Sequence, residues 1–120
     1  MRMLPLVLCV ACGAYASPDE FADALAEAQC AQLERCALGV FEASYSSDDA
    51  CLREQSDALV VQADQLDQLG CTWLPDEAKA CVHRVRGLSC EEWALGLDDD
   101  ACDLVWRCDQ GPGVPPMEGR

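Results

Sequence analysis

The chain has no isoleucine, one histidine, and only eight Lys/Arg against 22 Asp/Glu in 120 residues. Each shortage excludes something. Without Ile, the larger apolar residues from Ser17 onward are 12 Leu, 7 Val, 3 Trp, 2 Phe and 1 Met, and much of the 51% hydrophobic fraction is Ala and Cys. That is a thin core for one domain, and chains of this size commonly need covalent help. With His83 as its sole histidine, the chain lacks the His/Cys spacing of a zinc site. Gly-x-Ser-x-Gly, His-Glu-x-x-His and phosphate-cradling Gly-rich loops are also missing. All 22 carboxylates but only seven Lys/Arg follow residue 16, a net charge of −15 there. Such a surface has no basic footprint for nucleic acid and is repelled by an anionic membrane. No run after residue 17 reaches the apolar length of a bilayer span, so no transmembrane helix is expected once the N-terminal segment is removed.

That segment reads as an export signal. Arg2 is the positive start, residues 3–11 are a short apolar stretch, and Ala14-Tyr15-Ala16 places small residues for a cut before Ser17. A second cut is offered by Cys9-Val10-Ala11-Cys12, which resembles a bacterial lipobox and makes Cys12 a candidate for lipidation. Residues 1–16 are therefore assigned as signal peptide. Ser17-Pro18-Asp19-Glu20 follows with the N-cap serine, first-turn proline and N3 glutamate of a capping box. A fold that starts at Ser17 favours the soluble product, and membrane attachment is expected only if Cys12 is lipidated.

Ten cysteines in so short a chain indicate a disulfide framework in an oxidising compartment. Either cut leaves eight of them to pair: Cys30, Cys36, Cys51, Cys71, Cys81, Cys90, Cys102 and Cys108. Periodicity predicts a first helix from Pro18 to about Leu38 stopped by Gly39, a connection over 41–47, and a second helix to Leu69 stopped by Gly70. Leu52, Leu59, Ala63 and Leu66 form the inner stripe of the second helix. Pro75 opens a third helix ending at Gly87. Ser89 to Glu92 is another capping box on a short helix ended by Gly96. Asp98-Asp99-Asp100 reads as the cap of a last helix through Trp106 and Arg107 rather than as a calcium loop, which needs alternating oxygens and a later Glu. Residues 109–120 are a Gly/Pro-rich tail expected to be disordered, leaving 17–108 as the cysteine-rich helical domain. No alternating strand pattern is present.

The fold class predicted is all-α: a small disulfide-stapled helical bundle, with one long antiparallel helix hairpin plus shorter C-terminal helices. Cys30 and Cys36 lie about 120° apart on one helix, roughly 9 Å between Cα atoms, too far to bond each other. Cys36 one turn before the hairpin connection and Cys51 one turn after it make Cys36–Cys51 the favoured pair. Cys71–Cys81, Cys90–Cys102 and Cys30–Cys108 complete the expected set.

FADALAEAQCAQLERC, FEASYSSDDACL, DEAKACVHRVRGLSCEEW and CDLVWRC resemble segments of small cysteine-rich exported proteins and predicted lipoproteins of myxobacteria and their relatives. The resemblance spans most of residues 21–108. It implies a cell-envelope setting and a helical disulfide fold, and supplies no catalytic residues. By contrast, the adjacent Cys-Cys and the Cys-x-Cys of plant lipid-transfer proteins are absent.

Three features remain as candidate sites. Lys79, His83, Arg84 and Arg86 form the one basic cluster, which either balances a helix dipole or docks an acidic partner. Trp73, Trp93 and Trp106 each lie within three residues of a cysteine, as core packing or as an exposed aromatic platform. His83 would act as a base only beside a nucleophile. The expectation is a non-enzymatic exported structural or protein-binding module without metal or cofactor, its protein partner unknown. A carrier of a small apolar ligand is the alternative, and an enzyme the third reading.

Overall fold

The computed structural model describes residues 15–96 and 102–108, and within them the protein is mostly helical. Five helices are present among these residues: α1 (Pro18–Cys36), α2 (Leu38–Ser44), α3 (Asp48–Gln68), α4 (Pro75–Gly87) and α5 (Cys90–Ala94). Two dipeptide strands, β1 (Thr72–Trp73) and β2 (Trp106–Arg107), pair antiparallel with Thr72 opposite Arg107 and Trp73 opposite Trp106.

The helix starts follow local chemistry. The Ser17 hydroxyl accepts from the Glu20 N–H, with Pro18 in the first turn. Ser47 caps α3 by accepting from the Ala50 N–H. Ser89 and Glu92 complete the reciprocal capping box expected at α5. At the other end of α3, Gly70 has φ 86°, and the Cys71 and Gly70 N–H groups donate to the Leu66 and Asp67 carbonyls. That is a Schellman closure, which glycine makes without steric cost.

Helix α1 is central, with α3 and α4 both packed on it. The Cys30–Cys51 bridge and the Ser56-to-Asp23 hydrogen bond show α1 and α3 running antiparallel, as expected of the hairpin. The core is thin and divided. One cluster gathers Phe21, Leu25 and Ala28 of α1, Ala78, Cys81, Val82 and Val85 of α4, and Val105. The other is Cys30, Phe41 and Cys51, with Leu33, Tyr45 and Leu52 at its edge. Gln32 of α1, the one fully buried polar side chain among the described residues, ties α1 to the end of α4: its amide donates to the Val85 carbonyl at 2.6 Å and the Leu88 carbonyl at 3.2 Å.

Several expectations are corrected. The first helix does not run on to Gly39. It breaks at Ala37 (φ −147°, ψ 59°), and Gly39 lies inside α2, in a stretch expected to be the end of one helix and the start of a loop. Trp106 and Arg107 are strand rather than helix, because the segment returns to pair with β1. Asp98, Asp99 and Asp100 and the tail 109–120 lie outside the described residues.

All eight cysteines are bonded, but none of the four expected pairs forms. The bridges are Cys30–Cys51, Cys36–Cys90, Cys71–Cys108 and Cys81–Cys102. Cys36–Cys51 fails because α2 occupies the connection. It sets the start of α3 back along α1, so Cys30 rather than Cys36 lies level with Cys51, and Phe41 packs against that bridge. Cys36, projecting past the hairpin, meets Cys90 at the start of α5. Cys71 bonds Cys108, not Cys81, because the ribbon's register continues one residue outward, from Thr72 opposite Arg107 to Cys71 beside Cys108. Cys81 is on the fully buried face of α4, where Val105 packs, and meets Cys102 instead of leaving it to Cys90.

Candidate functional site

The basic cluster on α4 is split by the helix it stands on. Ala78, Cys81, Val82 and Val85 form the buried face. At 100° per residue, Lys79, His83 and Arg86 line one flank of that face, and Arg84 lies on the opposite flank. All four are exposed. Arg86 makes a long 3.9 Å ion pair with Glu27 of α1, and Arg84 lies within electrostatic reach of Glu92. Glu92 is held below the usual carboxylate range chiefly by the Ser89 backbone N–H, which outweighs an opposing loss of water, with the Ser89 side chain and the Arg84 charge adding to it. The expected four-residue patch is thus a three-residue stripe plus a separate arginine.

Acidic side chains dominate α1 and α3. Glu34 is raised above the usual carboxylate range, chiefly by the charge of Asp48 across the hairpin, then by partial desolvation, a hydrogen bond shared with Asp48, and the charge of Glu42. Helix α3 is 21 residues long, yet Cys51 is its one fully buried residue, and Val61 and Leu69 are exposed. Between α1, α3 and the 102–108 segment lies an open groove of about 490 Å3 with mixed walls, apolar from Leu59, Leu66 and Trp106 and polar from Gln29, Gln62 and Asp103. Among the described residues, no three His, Cys, Asp or Glu side chains are grouped to hold a metal ion.

The tryptophans combine the two readings. Trp73 and Trp106 pack against the main cluster and are partly exposed. Trp93 borders the Cys30–Cys51 bridge with Gln29 and Gln55. The Trp73 indole N–H is buried without an acceptor among the described residues. Sequence reasoning missed that Trp73 and Trp106 are neighbours, because a two-residue strand leaves no alternating pattern to read.

At the N-terminal end, Tyr15 packs its ring on Phe21, with centroids 6.2 Å apart. The Ala16 N–H donates to Glu20 Oε1 at 2.8 Å. Glu20 therefore reaches one residue further back than the capping box expected from the sequence, so the folded contacts begin before Ser17. Cys12 lies outside the described residues.

No family model, curated protein or solved structure matches the chain. No described helix is long and apolar enough to cross a membrane.

Proposed function

We propose that this is an exported, non-enzymatic protein-binding module of the bacterial cell envelope, a rigid disulfide-locked platform. The observation that carries the binding reading is α3, a 21-residue helix bridged to α1 that buries only Cys51 fully and leaves Val61 exposed. Four disulfides support the exported setting, since such bonds persist in oxidising compartments. A photo-crosslinking residue at Val61, and separately at Lys79, tests it in the intact envelope of the cell that makes the protein. A discrete adduct dependent on one position is expected; no adduct from either surface overturns the reading.

Cleavage after Ala16 would remove both the Tyr15 ring from Phe21 and the Glu20 partner. Cleavage before Cys12 keeps both, so these contacts favour the lipid-linked form over the soluble one that the capping box suggests. The intact mass of native, unreduced protein separates the two products.

The second reading, a carrier of a small apolar ligand, draws on the groove of about 490 Å3, within the size range of small-molecule sites. Saturable binding of an apolar fluorescent probe, lost in Leu59→Arg, would favour it.

A further inference from the structure

On the other side of the groove's Trp106 wall lies a second pocket of about 420 Å3, whose walls include Asp19 at the start of α1, Asp64 and Asp67 near the end of α3, and Trp73 and Trp106 from the ribbon. We propose that this pocket binds an organic cation, the guanidinium or ammonium of an Arg or Lys side chain presented by a partner protein. The proposal rests on the protein-binding reading above and names the chemistry that the platform would recognise.

Three independent features converge there. First, ribbon register places Trp73 opposite Trp106, so strand alternation puts both indoles on one face and Thr72 and Arg107 on the other. Indole is the aromatic surface that attracts a cation most strongly. Both indoles line the pocket and are partly exposed, while Arg107 belongs to the opposite face.

Second, Asp64 and Asp67 lack a compensating positive charge, while Asp19 is offset by the N-terminus of α1. Asp19, Asp64 and Asp67 are exposed, and none has a side-chain hydrogen bond or ion pair among the described residues. Asp64 and Asp67 also stand near the C-terminus of α3, whose last turn has no basic residue. The helix dipole places partial negative charge at that end, where a cation is favoured and a carboxylate is not. A cation at the α3 side of the pocket would meet Asp64, Asp67 and the negative end of that helix, with Asp19 opposite screening the N-terminus of α1.

Third, the neighbouring groove supplies the apolar surface that a side-chain cation brings a need for. Leu59 and Leu66, both partly exposed, line that groove with Trp106, over a floor that includes the buried Phe21 and Leu25. The combined surface suits a segment in which an Arg or Lys stands beside apolar residues. A bare metal ion fits less well, since the carboxylates are not grouped as a metal ligand set.

The test is a titration followed by the indole N–H resonances of Trp73, Trp106 and Trp93, assigned by single Trp→Phe variants. The probes are an Arg-Leu-Leu peptide with blocked ends, tetramethylammonium chloride, and sodium or calcium chloride at matched ionic strength. The peptide should move the Trp73 and Trp106 signals saturably and leave Trp93 in place. D64N/D67N, two exposed positions that the fold does not need, should weaken it about tenfold.

Shifts reproduced by sodium or calcium chloride, or no shift by about 10 mM peptide, overturn the proposal. Tetramethylammonium binding as tightly as the peptide overturns the partner side chain as the source and identifies a free small cation instead. If Lys79 crosslinks a partner while D64N/D67N leaves the adduct unchanged and no peptide binds, the protein-binding reading stands and this pocket falls. If the peptide binds and no adduct forms, the pocket stands and the wider reading falls.

Discussion

Gln32 is the residue on which the junction of α1 and α4 turns. Its amide satisfies carbonyls at the end of α4, and its Oε1 accepts from Arg35 at 2.9 Å, which in turn donates to Leu88 at 3.0 Å. Gln32→Leu keeps the volume but removes these bonds from a fully buried position. It should lower stability by about 1–3 kcal/mol, read as a lower denaturant midpoint at unchanged slope. Glu34 gives a pH signature of the opposite kind. Because its carboxyl is raised in the fold by Asp48, the folded state binds the proton more tightly than the unfolded chain does. Its stabilising contribution is fully present below the ordinary Glu range and is lost as pH rises through the raised value. Glu34→Gln should therefore raise the melting temperature at pH 7, with the gain shrinking as pH falls into the carboxylate range. A pH-independent gain would contradict the repulsion. Neither role was legible from sequence: Gln32 and Glu34 sit amid an ordinary polar and acidic helix, and their partners lie on α4 and α3.

At the scale of the element, the helix starts were the readable part. Ser17, Ser47 and Ser89 each accept from an N–H three residues on, and such caps depend on nothing distant. Gly70 and Gly96 likewise take the positive φ that ends α3 and α5. Gly39 looked the same in sequence and is not: a Cβ there meets nothing within 4 Å, and its φ is not positive. Gly39→Ala should thus stabilise by up to about 1 kcal/mol, measurable as a rise in melting temperature. The cysteine pairing was illegible for the converse reason. It depends on how far α3 is set back along α1 and on a ribbon of two residues per strand, neither of which has a periodic signal. The aromatic part of the candidate site shares that fate, since Trp73 and Trp106 are 33 positions apart in sequence and meet only through the ribbon. Its acidic part was visible as a helix end without a basic residue, a signal that gained meaning only once the indoles were placed beside it. The bridges should also differ in effect. Cys36→Ser with Cys90→Ser frees the short α5 and should speed amide exchange over 89–96 while α1 and α3 stay protected. Cys30→Ser with Cys51→Ser opens the smaller cluster, and about 2–4 kcal/mol of global stability should go with it.

For the whole molecule, charge and covalent topology matter more than core volume. With a net −15 after residue 16 and a single ion pair among the described residues, self-repulsion opposes the compact state. Raising sodium chloride from about 20 to about 200 mM should raise the melting temperature by screening it; a flat response would show that local pairing neutralises the field. The all-α bundle with covalent staples was foreseeable at this scale, because a thin apolar inventory and many cysteines leave few other ways to hold a fold. The separation of an acidic α1–α3 face from the basic stripe on α4 was not, since it depends on α1 lying between them.

The bridge between Cys71 and Cys108 has a mechanical consequence. A pull applied between Tyr15 and Cys108 passes along residues 15–30 and then by two covalent routes, the shorter through Cys30–Cys51, residues 51–71 and Cys71–Cys108, the longer through Cys36–Cys90 and residues 90–108, so residues 15–30 and 51–71 set the limit of extension. Those 37 residues can extend to roughly 130 Å, against roughly 330 Å for the same chain without bridges. Trp73 and α4 lie off both routes, and Trp106 lies on the longer one, which is still slack when the shorter is taut. For a platform tethered at one end and gripped at the other, the recognition surface contributed by the ribbon would keep its shape while the helices beside it stretch.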